Sequence, residues 1–124
     1  MSETPLVLVV EDNPTNLMLV SAVLKRAGYA TASAGSTEEA RRELARARPE
    51  LILMDVQLPG QDGLSLAGEL KADPATRTIP IVALTAHAME EHRQRALAVG
   101  CDGYIAKPID TRTFVAELQT VLGR

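Results

Sequence analysis

The amino-acid sequence predicts an α/β fold, with five parallel strands and five helices forming a (βα)5 doubly wound sheet. Five short apolar segments begin at positions 6, 29, 51, 81 and 103 of the 124-residue chain, which leaves room for a helix after each strand. The segments between them have helical periodicity and capping residues. Three of the strand segments are apolar without alternation, as is typical of central parallel strands buried on both faces.

The predicted strands differ in polarity, and this sets their expected places in the sheet. The segment at 29–34 mixes small and polar residues, so we expect it at an edge. Right-handed crossovers with helices on both faces give the flavodoxin-like strand order 2-1-3-4-5. The predicted strands are LVLVV (6–10), YATASA (29–34), LILMD (51–55), IVALT (81–85) and GYIAK (103–107).

Capping signals and apolar stripes locate the five helices. Asn13 and Pro14 supply an N-cap and a first-turn proline for the first helix, and Gly28 ends it. A capping box at 36–39 opens the second helix. The remaining helices are expected at about 64–72, 89–99 and 114–122.

Composition limits the class of protein. A chain of 124 residues that is 46% hydrophobic fits one compact domain, residues 1–124. A formal net charge of −3 argues against nucleic-acid binding. Cys101, the only cysteine, excludes an internal disulfide and favours a cytoplasmic setting, and no apolar run is long enough for a membrane span. The bias towards arginine and alanine suggests a bacterial source.

The residues at the carboxyl ends of the predicted strands suggest the chemistry. Glu11 and Asp12 follow the first strand, and Asp55, Thr85 and Lys107 end the third, fourth and fifth. Because the first and third strands are neighbours about 4.8 Å apart, three carboxylates share one crevice. A pair of like charges 4 Å apart costs roughly 4 kcal/mol at an effective dielectric constant of 20, so the cluster must take up a proton or a cation. Oxygen ligands alone favour Mg²⁺.

A bound Mg²⁺ that keeps several waters would recruit a phosphoryl group to this crevice. Lys107 and Thr85 would then neutralise and hydrogen-bond its remaining oxygens. No Ser-His-Asp set, Cys-His pair or Walker-type glycine loop is evident, so the best nucleophile is a carboxylate. Attack by Asp55 on phosphorus would give an aspartyl phosphate, an energy-rich and hydrolysable group that suits a timed signal.

Several short motifs occur in a fixed order along the chain. They are Glu11-Asp12, Asp55 with Pro59-Gly60 and Asp62-Gly63, Thr85-Ala86, and Lys107-Pro108. Together they resemble the receiver domain of two-component response regulators, in order and spacing, over essentially the whole chain. The segments VEDNPTN and TAHAM look most like receivers of hybrid histidine kinases and single-domain regulators.

The resemblance implies a phosphoacceptor and a metal site. Asp55 would accept the phosphoryl group. Asp12, Asp55 and the backbone carbonyl of Gln57 would bind Mg²⁺ directly, and Glu11 would act on the metal largely through water. The turns at 59–60 and 62–63 are expected to shape the loop that delivers the Gln57 carbonyl.

The resemblance also implies residues that hold and tune the phosphoryl group. Thr85 and Lys107 would contact its oxygens. Thr85 would move towards it on phosphorylation, and Tyr104, the switch aromatic, would turn inward. Gln57 and His87, each two residues beyond a central site residue, would modulate the lifetime of the phosphoryl group.

Partners follow from the same resemblance. A histidine kinase or histidine phosphotransfer protein would donate the phosphoryl group, and a downstream effector protein would bind at the face of the fourth helix, fifth strand and fifth helix. The domain would catalyse only its own phosphorylation and autodephosphorylation and would not be an enzyme otherwise. We expect no nucleic-acid or membrane partner, and a monomer or weak homodimer.

The fourth helix has an unusual composition. Its charged run, 90–95, is interpreted as a solvated face. Its apolar stripe is thin, so this helix is expected to be weakly anchored and mobile. The stripe consists of Met89, Ala96, Leu97 and Val99.

Two other classes of protein are alternatives. A Mg²⁺-dependent phosphatase of the haloacid dehalogenase type also uses an aspartate at a strand end, but it needs a second aspartate where Gln57 stands. A flavodoxin-like cofactor binder would have to place an anionic flavin phosphate in an acidic crevice. Met1 with a short polar lead favours a natural start, and both a stand-alone regulator and a piece of a longer protein remain open.

Overall fold

A five-stranded parallel sheet forms the centre of the protein in a computed structural model that describes residues 4–58, 61–85, 90–107 and 109–122. The strands of the main sheet lie in the order β2-β1-β3-β6-β7, and β4 pairs with β5 in a separate short antiparallel ladder. Counted within the main sheet alone, this is the predicted order 2-1-3-4-5, which is confirmed. The strands are β1 (Leu6–Val10), β2 (Ala30–Ala34), β3 (Leu51–Asp55), β4 (Gln57–Leu58), β5 (Gln61–Asp62), β6 (Ile81–Thr85) and β7 (Gly103–Ala106).

Five helices alternate with the main strands, as predicted. The side chain of Asn13 caps the first helix by accepting the backbone N–H groups of Thr15 and Asn16, at 2.9 and 3.1 Å. Gly28 follows that helix with a φ of +98°, a left-handed conformation that favours glycine. The helices are α1 (Pro14–Arg26), α2 (Thr37–Arg46), α3 (Gly63–Ala72), α4 (Glu90–Ala98) and α5 (Phe114–Leu122).

The sheet is covered on both faces, because alternate residues of each central strand point in opposite directions. One buried cluster combines the strands with α1 and α5, and includes Val7, Val9, Leu24, Leu53, Leu84, Phe114 and Leu118. The other combines them with α2, α3 and α4, and includes Leu8, Val10, Ala40, Ile52, Met54, Leu66, Ala83 and Ala96. The fold is therefore the doubly wound arrangement that the uninterrupted apolar strands predict.

The sheet edges also agree with the sequence. Among the strands that the structure describes, the polar strand β2 pairs only with β1 and lies at one edge, as predicted. Because all five main strands are parallel, their carboxyl ends meet on one side of the sheet, where Glu11, Asp55, Thr85 and Lys107 follow or end strands.

Within the described residues, no helix has both the length and the apolar character needed to cross a membrane.

The apolar stripe of α4 is thinner than the sequence suggests. Ala96 is completely buried, and it is the only buried residue among those of α4 whose side chains the structure describes. Leu97 is 47% exposed, so its assignment to the core stripe is wrong. Val99, just after the helix, is partly buried and packs against the core as predicted, and Met89 lies outside the described residues. In the last turn of this nine-residue helix, the Ala96 position faces the sheet and the next position turns outward.

Candidate functional site

Two carboxylates lie buried side by side at the carboxyl ends of β1 and β3. Glu11 follows β1 and is 1% exposed, and Asp55 ends β3 and is 3% exposed. The register of the two strands pairs Val10 with Met54, so the acids occupy adjacent rows of the same sheet edge. Sheet pairing thus holds two charged groups where burial alone would disfavour them.

The ammonium group of Lys107 lies against both carboxylates. Its Nζ is 2.9 Å from Glu11 Oε1 and 3.1 Å from Asp55 Oδ2. The backbone positions this side chain, because the N–H of Lys107 donates to the carbonyl of Thr85 at 2.7 Å, immediately after β7. Thr85 is itself buried at the end of β6. The structure therefore brings together the lysine and two of the carboxylates that the sequence predicts.

Burial and mutual repulsion affect the protonation of this group of residues. Burial raises the pKa of Glu11 above its usual value, and the neighbouring Asp55 carboxylate adds to that shift, while Lys107 and the Asn13 N–H oppose it. Burial acts to lower the pKa of Lys107, but contacts with Glu11 and Asp55 outweigh it and raise that pKa. The Lys107 ammonium therefore remains charged, while the two neighbouring carboxylates repel each other.

A third acid completes a potential metal site. Asp12 is exposed, and Glu11, Asp12 and Asp55 each offer an oxygen such that all three atoms lie within 4.8 Å of one another. The donor set is entirely carboxylate oxygen, which is the chemistry that hard divalent cations prefer. One exposed member leaves room for the waters that Mg²⁺ usually retains. These residues thus fit the predicted Mg²⁺.

The loop after β3 is tied to Asp55 by its backbone. The N–H of Gln57 donates to Asp55 Oδ1 at 3.0 Å, and Gln57 pairs with Asp62 in the β4–β5 ladder. The side chain of Gln57 is exposed. This arrangement keeps the Gln57 backbone next to the acceptor carboxylate.

Gly63 is a site residue whose importance the sequence reasoning missed. A Cβ at this position would lie 2.0 Å from the carbonyl oxygen of Asp55 and 3.1 Å from its carbonyl carbon. Only glycine allows the start of α3 to pack this closely against the end of β3. The sequence signal was Asp62-Gly63, which turn chemistry alone already explains.

The remaining predicted site residues divide into two groups. Tyr104 lies on β7, three residues before Lys107, and its half-buried ring packs against the cluster on the α3 side of the sheet. Its switch role stays a prediction. The predictions for His87, and the motif residues Pro59, Gly60, Ala86 and Pro108, lie outside the described residues.

Comparison with known sequences identifies the class of protein to which this fold, with its strand-end acids and lysine, belongs. The family model for the response regulator receiver domain matches residues 7–119. The chain therefore belongs to the receiver domain family, as the sequence motifs indicated.

Individual relatives agree with this assignment. The chain is 40% identical over 118 residues to the phosphate regulon transcriptional regulatory protein PhoB of Pseudomonas aeruginosa, a match that covers 95% of this chain and 52% of PhoB. It therefore spans about half the length of that relative. It is 39% identical over 117 residues to the polar-differentiation response regulator DivK of Brucella anthropi, a match that covers 94% of this chain and 95% of DivK.

A solved structure gives the same result for the fold. The receiver domain of sensor histidine kinase PA1611 from Pseudomonas aeruginosa superimposes with a TM-score of 0.87 and 36% identity, covering 98% of this chain and all of that one. That structure was solved with a magnesium ion coordinated in its active site cleft. None of these comparisons supports the phosphatase alternative.

Proposed function

We propose that this chain is a single receiver domain that accepts a phosphoryl group on Asp55 in a Mg²⁺-dependent reaction. The observation that supports this most directly is the pairing of the Lys107 ammonium with the buried Asp55 and Glu11 carboxylates, at 3.1 and 2.9 Å. The donor would be the phosphohistidine of a histidine kinase or phosphotransfer protein. We propose a bacterial cytoplasm as the setting.

The reaction is a transfer between two nucleophiles. A carboxylate oxygen of Asp55 forms a bond to phosphorus while the bond from phosphorus to the donor imidazole nitrogen breaks, and the electron pair of that bond stays with the imidazole. The product is an acyl phosphate, which water can hydrolyse. The domain would thus promote only its own phosphorylation and dephosphorylation.

The protein supplies position and charge for this transfer. Asp12, Asp55 and the Gln57 carbonyl would bind Mg²⁺, with Glu11 acting largely through water, and the bound ion would neutralise the phosphoryl oxygens and the acids around them. Lys107 lies beside Asp55 and would hold a phosphoryl oxygen through a charge-assisted hydrogen bond.

Four residues around the site would respond to the phosphoryl group or tune its lifetime. Thr85, buried at the end of β6, would contact the phosphoryl oxygens, and Tyr104 would turn inward. Gln57 and His87 would tune the rate of hydrolysis. The exposed side chain of Gln57 supports that role, since it borders the solvent from which the attacking water would come.

Readout of the phosphorylation state would use the face built from α4, β7 and α5. Among the side chains of α4 that the structure describes, Ala96 alone is buried, which supports a small energetic cost for moving this helix. Phosphorylation would shift the population between two pre-existing arrangements and expose the preferred surface to an effector protein. Amide hydrogen exchange on this face that is the same in the phosphorylated and resting protein would contradict the assignment.

The acceptor role is tested by incubating the purified chain with acetyl phosphate, with and without Mg²⁺, followed by mass spectrometry. We expect one labile phosphate on Asp55, formed only with Mg²⁺. Asp55→Asn should remain unlabelled, while Glu69→Gln, a change in an exposed acid of α3, should label like the wild type. Equal labelling of Asp55→Asn, or a stable phosphate on serine or threonine, would overturn the proposal.

A further inference from the structure

An ion pair joins α4 to the loop that follows the acceptor strand. Arg95 Nη2 lies 2.8 Å from Asp62 Oδ2, and the two side chains are 56% and 38% exposed. The charged run 90–95 is predicted to be a solvated face, and the exposed side chains of residues 93–95 agree with this prediction. The Arg95 side chain is accessible to solvent, but it is engaged with a residue of another element.

Asp62 is connected to the acceptor site through the backbone of Gln57 and through its neighbour Gly63. Its Oδ1 caps α3 by accepting the N–H of Leu64 at 2.9 Å, which leaves Oδ2 for Arg95. Its backbone pairs with Gln57, whose N–H donates to Asp55 Oδ1 at 3.0 Å. The next residue, Gly63, packs directly against the Asp55 carbonyl. A displacement of Asp62 therefore reaches both the Gln57 backbone and the Asp55 backbone.

On the other side of the ion pair, α4 buries one small side chain among those that the structure describes. Ala96, next to Arg95, is the buried anchor of the helix, and Leu97 points to solvent. A tilt or slide of α4 about this small residue would move the Arg95 guanidinium relative to Asp62. The ion pair thus connects α4 to the residues that carry the proposed metal ligands.

We propose that Arg95 is a positioning residue, which holds Gln57 in its Mg²⁺-binding arrangement through the paired residue Asp62 and so makes Mg²⁺ affinity depend on the placement of α4. This inference rests on the proposed function of Asp55 and Gln57. It adds a route by which a partner that moves α4 changes the metal affinity of the acceptor site. By thermodynamic linkage, Mg²⁺ binding would in turn favour the α4 position in which the ion pair is intact.

The test is a Mg²⁺ titration of the full chain and of Arg95→Gln, with Arg41→Gln as the matched control. Arg41 forms an exposed ion pair with Glu69 that links α2 to α3, so its loss changes the net charge equally without touching the loop. Positioning predicts that Arg95→Gln weakens Mg²⁺ binding by about two- to five-fold, the factor that an exposed ion pair supplies. Simple charge repulsion predicts the opposite sign, because removing a positive charge should strengthen cation binding.

Two further variants separate positioning from charge. Asp62→Asn keeps an oxygen that can cap α3 but loses the ionic partner, so the double variant Arg95→Gln/Asp62→Asn should bind Mg²⁺ no more weakly than Asp62→Asn alone. Arg95→Lys should recover part of the affinity. Fully additive losses in the double variant would overturn the inference.

The failure of this inference can be told apart from failure of the proposed function. A wild-type chain without a saturable Mg²⁺ site would overturn the function itself. A wild-type site whose affinity is unchanged in Arg95→Gln, or is strengthened as in Arg41→Gln, would overturn only the role of Arg95.

Discussion

Two lysines of this domain are equally buried but lie in electrostatically different surroundings at opposite ends of the sheet. The side chains of Lys71 and Lys107 are each 15% exposed. Lys107 lies at the carboxyl ends of the strands, between two buried carboxylates. Lys71 lies at the amino ends of β6 and β7, beside the single carboxylate of Asp102, which is 41% exposed.

The Lys71 cluster is neutral and complete. Its ammonium donates to Asp102 Oδ2 at 2.7 Å and to the carbonyls of Ile79 and Arg77 at 2.8 and 3.2 Å, so each of its three protons has an acceptor. The same Asp102 oxygen also accepts the N–H of Ile81 at 2.9 Å. These contacts join the end of α3 to the starts of two strands, and their role is structural.

The Lys107 cluster, in contrast, carries excess negative charge. One ammonium faces two buried carboxylates, and the exposed Asp12 adds a third acid nearby. Such an arrangement costs stability, since like charges are held together by the fold. The burial of a lysine therefore does not reveal its role, whereas the unbalanced charge of the side chains around it does.

Replacing each lysine by methionine gives the largest expected contrast. Lys107→Met leaves two buried carboxylates without a counter-charge and should lower the free energy of unfolding by about 3 kcal/mol at pH 7 without Mg²⁺. Lys71→Met leaves partly exposed acceptors and should cost about 1–2 kcal/mol. Urea denaturation with and without Mg²⁺ measures both.

Mg²⁺ provides the control for this contrast. The ion should restore a large part of the stability lost in Lys107→Met, because a cation that binds the folded state offsets the excess charge. It should stabilise Lys71→Met only as much as it stabilises the wild type. Equal losses in the two variants, with no special effect of Mg²⁺, would remove the distinction between the clusters.

Neutralising one acid in each cluster should change stability in opposite directions. Glu11→Gln relieves repulsion and should raise the free energy of unfolding of the metal-free protein by about 1 kcal/mol, while weakening Mg²⁺ binding. Asp102→Asn removes the ionic partner of Lys71 and should lower stability by about 1 kcal/mol. Thermal denaturation in the presence of a chelator measures the direction of both stability changes. Destabilisation by both substitutions would contradict the charge-excess account.

The smallest expected effect is a pH dependence that arises from Glu11. Its folded-state pKa is raised by burial, so its contribution to stability is complete below the unfolded value of 4.5 and is lost as the pH rises through the folded value. Mg²⁺ needs the carboxylate, so the increase in melting temperature caused by Mg²⁺ should shrink as the pH falls from neutral towards 4.5. In Glu11→Gln this shrinkage should be weaker, and an identical pH profile would contradict the role of Glu11.

Much of the fold could be predicted because its signals are local. Uninterrupted apolar runs mark strands buried on both faces, and Asn13, Pro14 and Gly28 mark the ends of α1 through their own side chains and backbone preferences. The polar character of 29–34 predicts an edge strand for the same reason, and the strand is observed over Ala30–Ala34. The convergence of Glu11, Asp55 and Lys107 then follows from parallel strand order alone.

The contacts that could not be predicted are those between distant segments. The Arg95–Asp62 ion pair and the packing of Gly63 on the Asp55 carbonyl depend on how α3 and α4 lie against β3. The exposure of Leu97 likewise depends on the rotation of α4 about its axis. Residue type and spacing do not single out these contacts, because a turn alone explains Asp62-Gly63 and charged residues serve many purposes at helix surfaces.

The central claim is that excess negative charge around Asp55 creates a cation site that the neutral Lys71 cluster lacks. Calorimetric titration of Mg²⁺ into the wild type, Asp55→Asn and Asp102→Asn tests it with matched acid-to-amide changes at the two ends of the sheet. We predict one saturable site in the wild type and in Asp102→Asn, and loss of saturable binding in Asp55→Asn. Binding that persists in Asp55→Asn, or is absent from the wild type, would contradict the account.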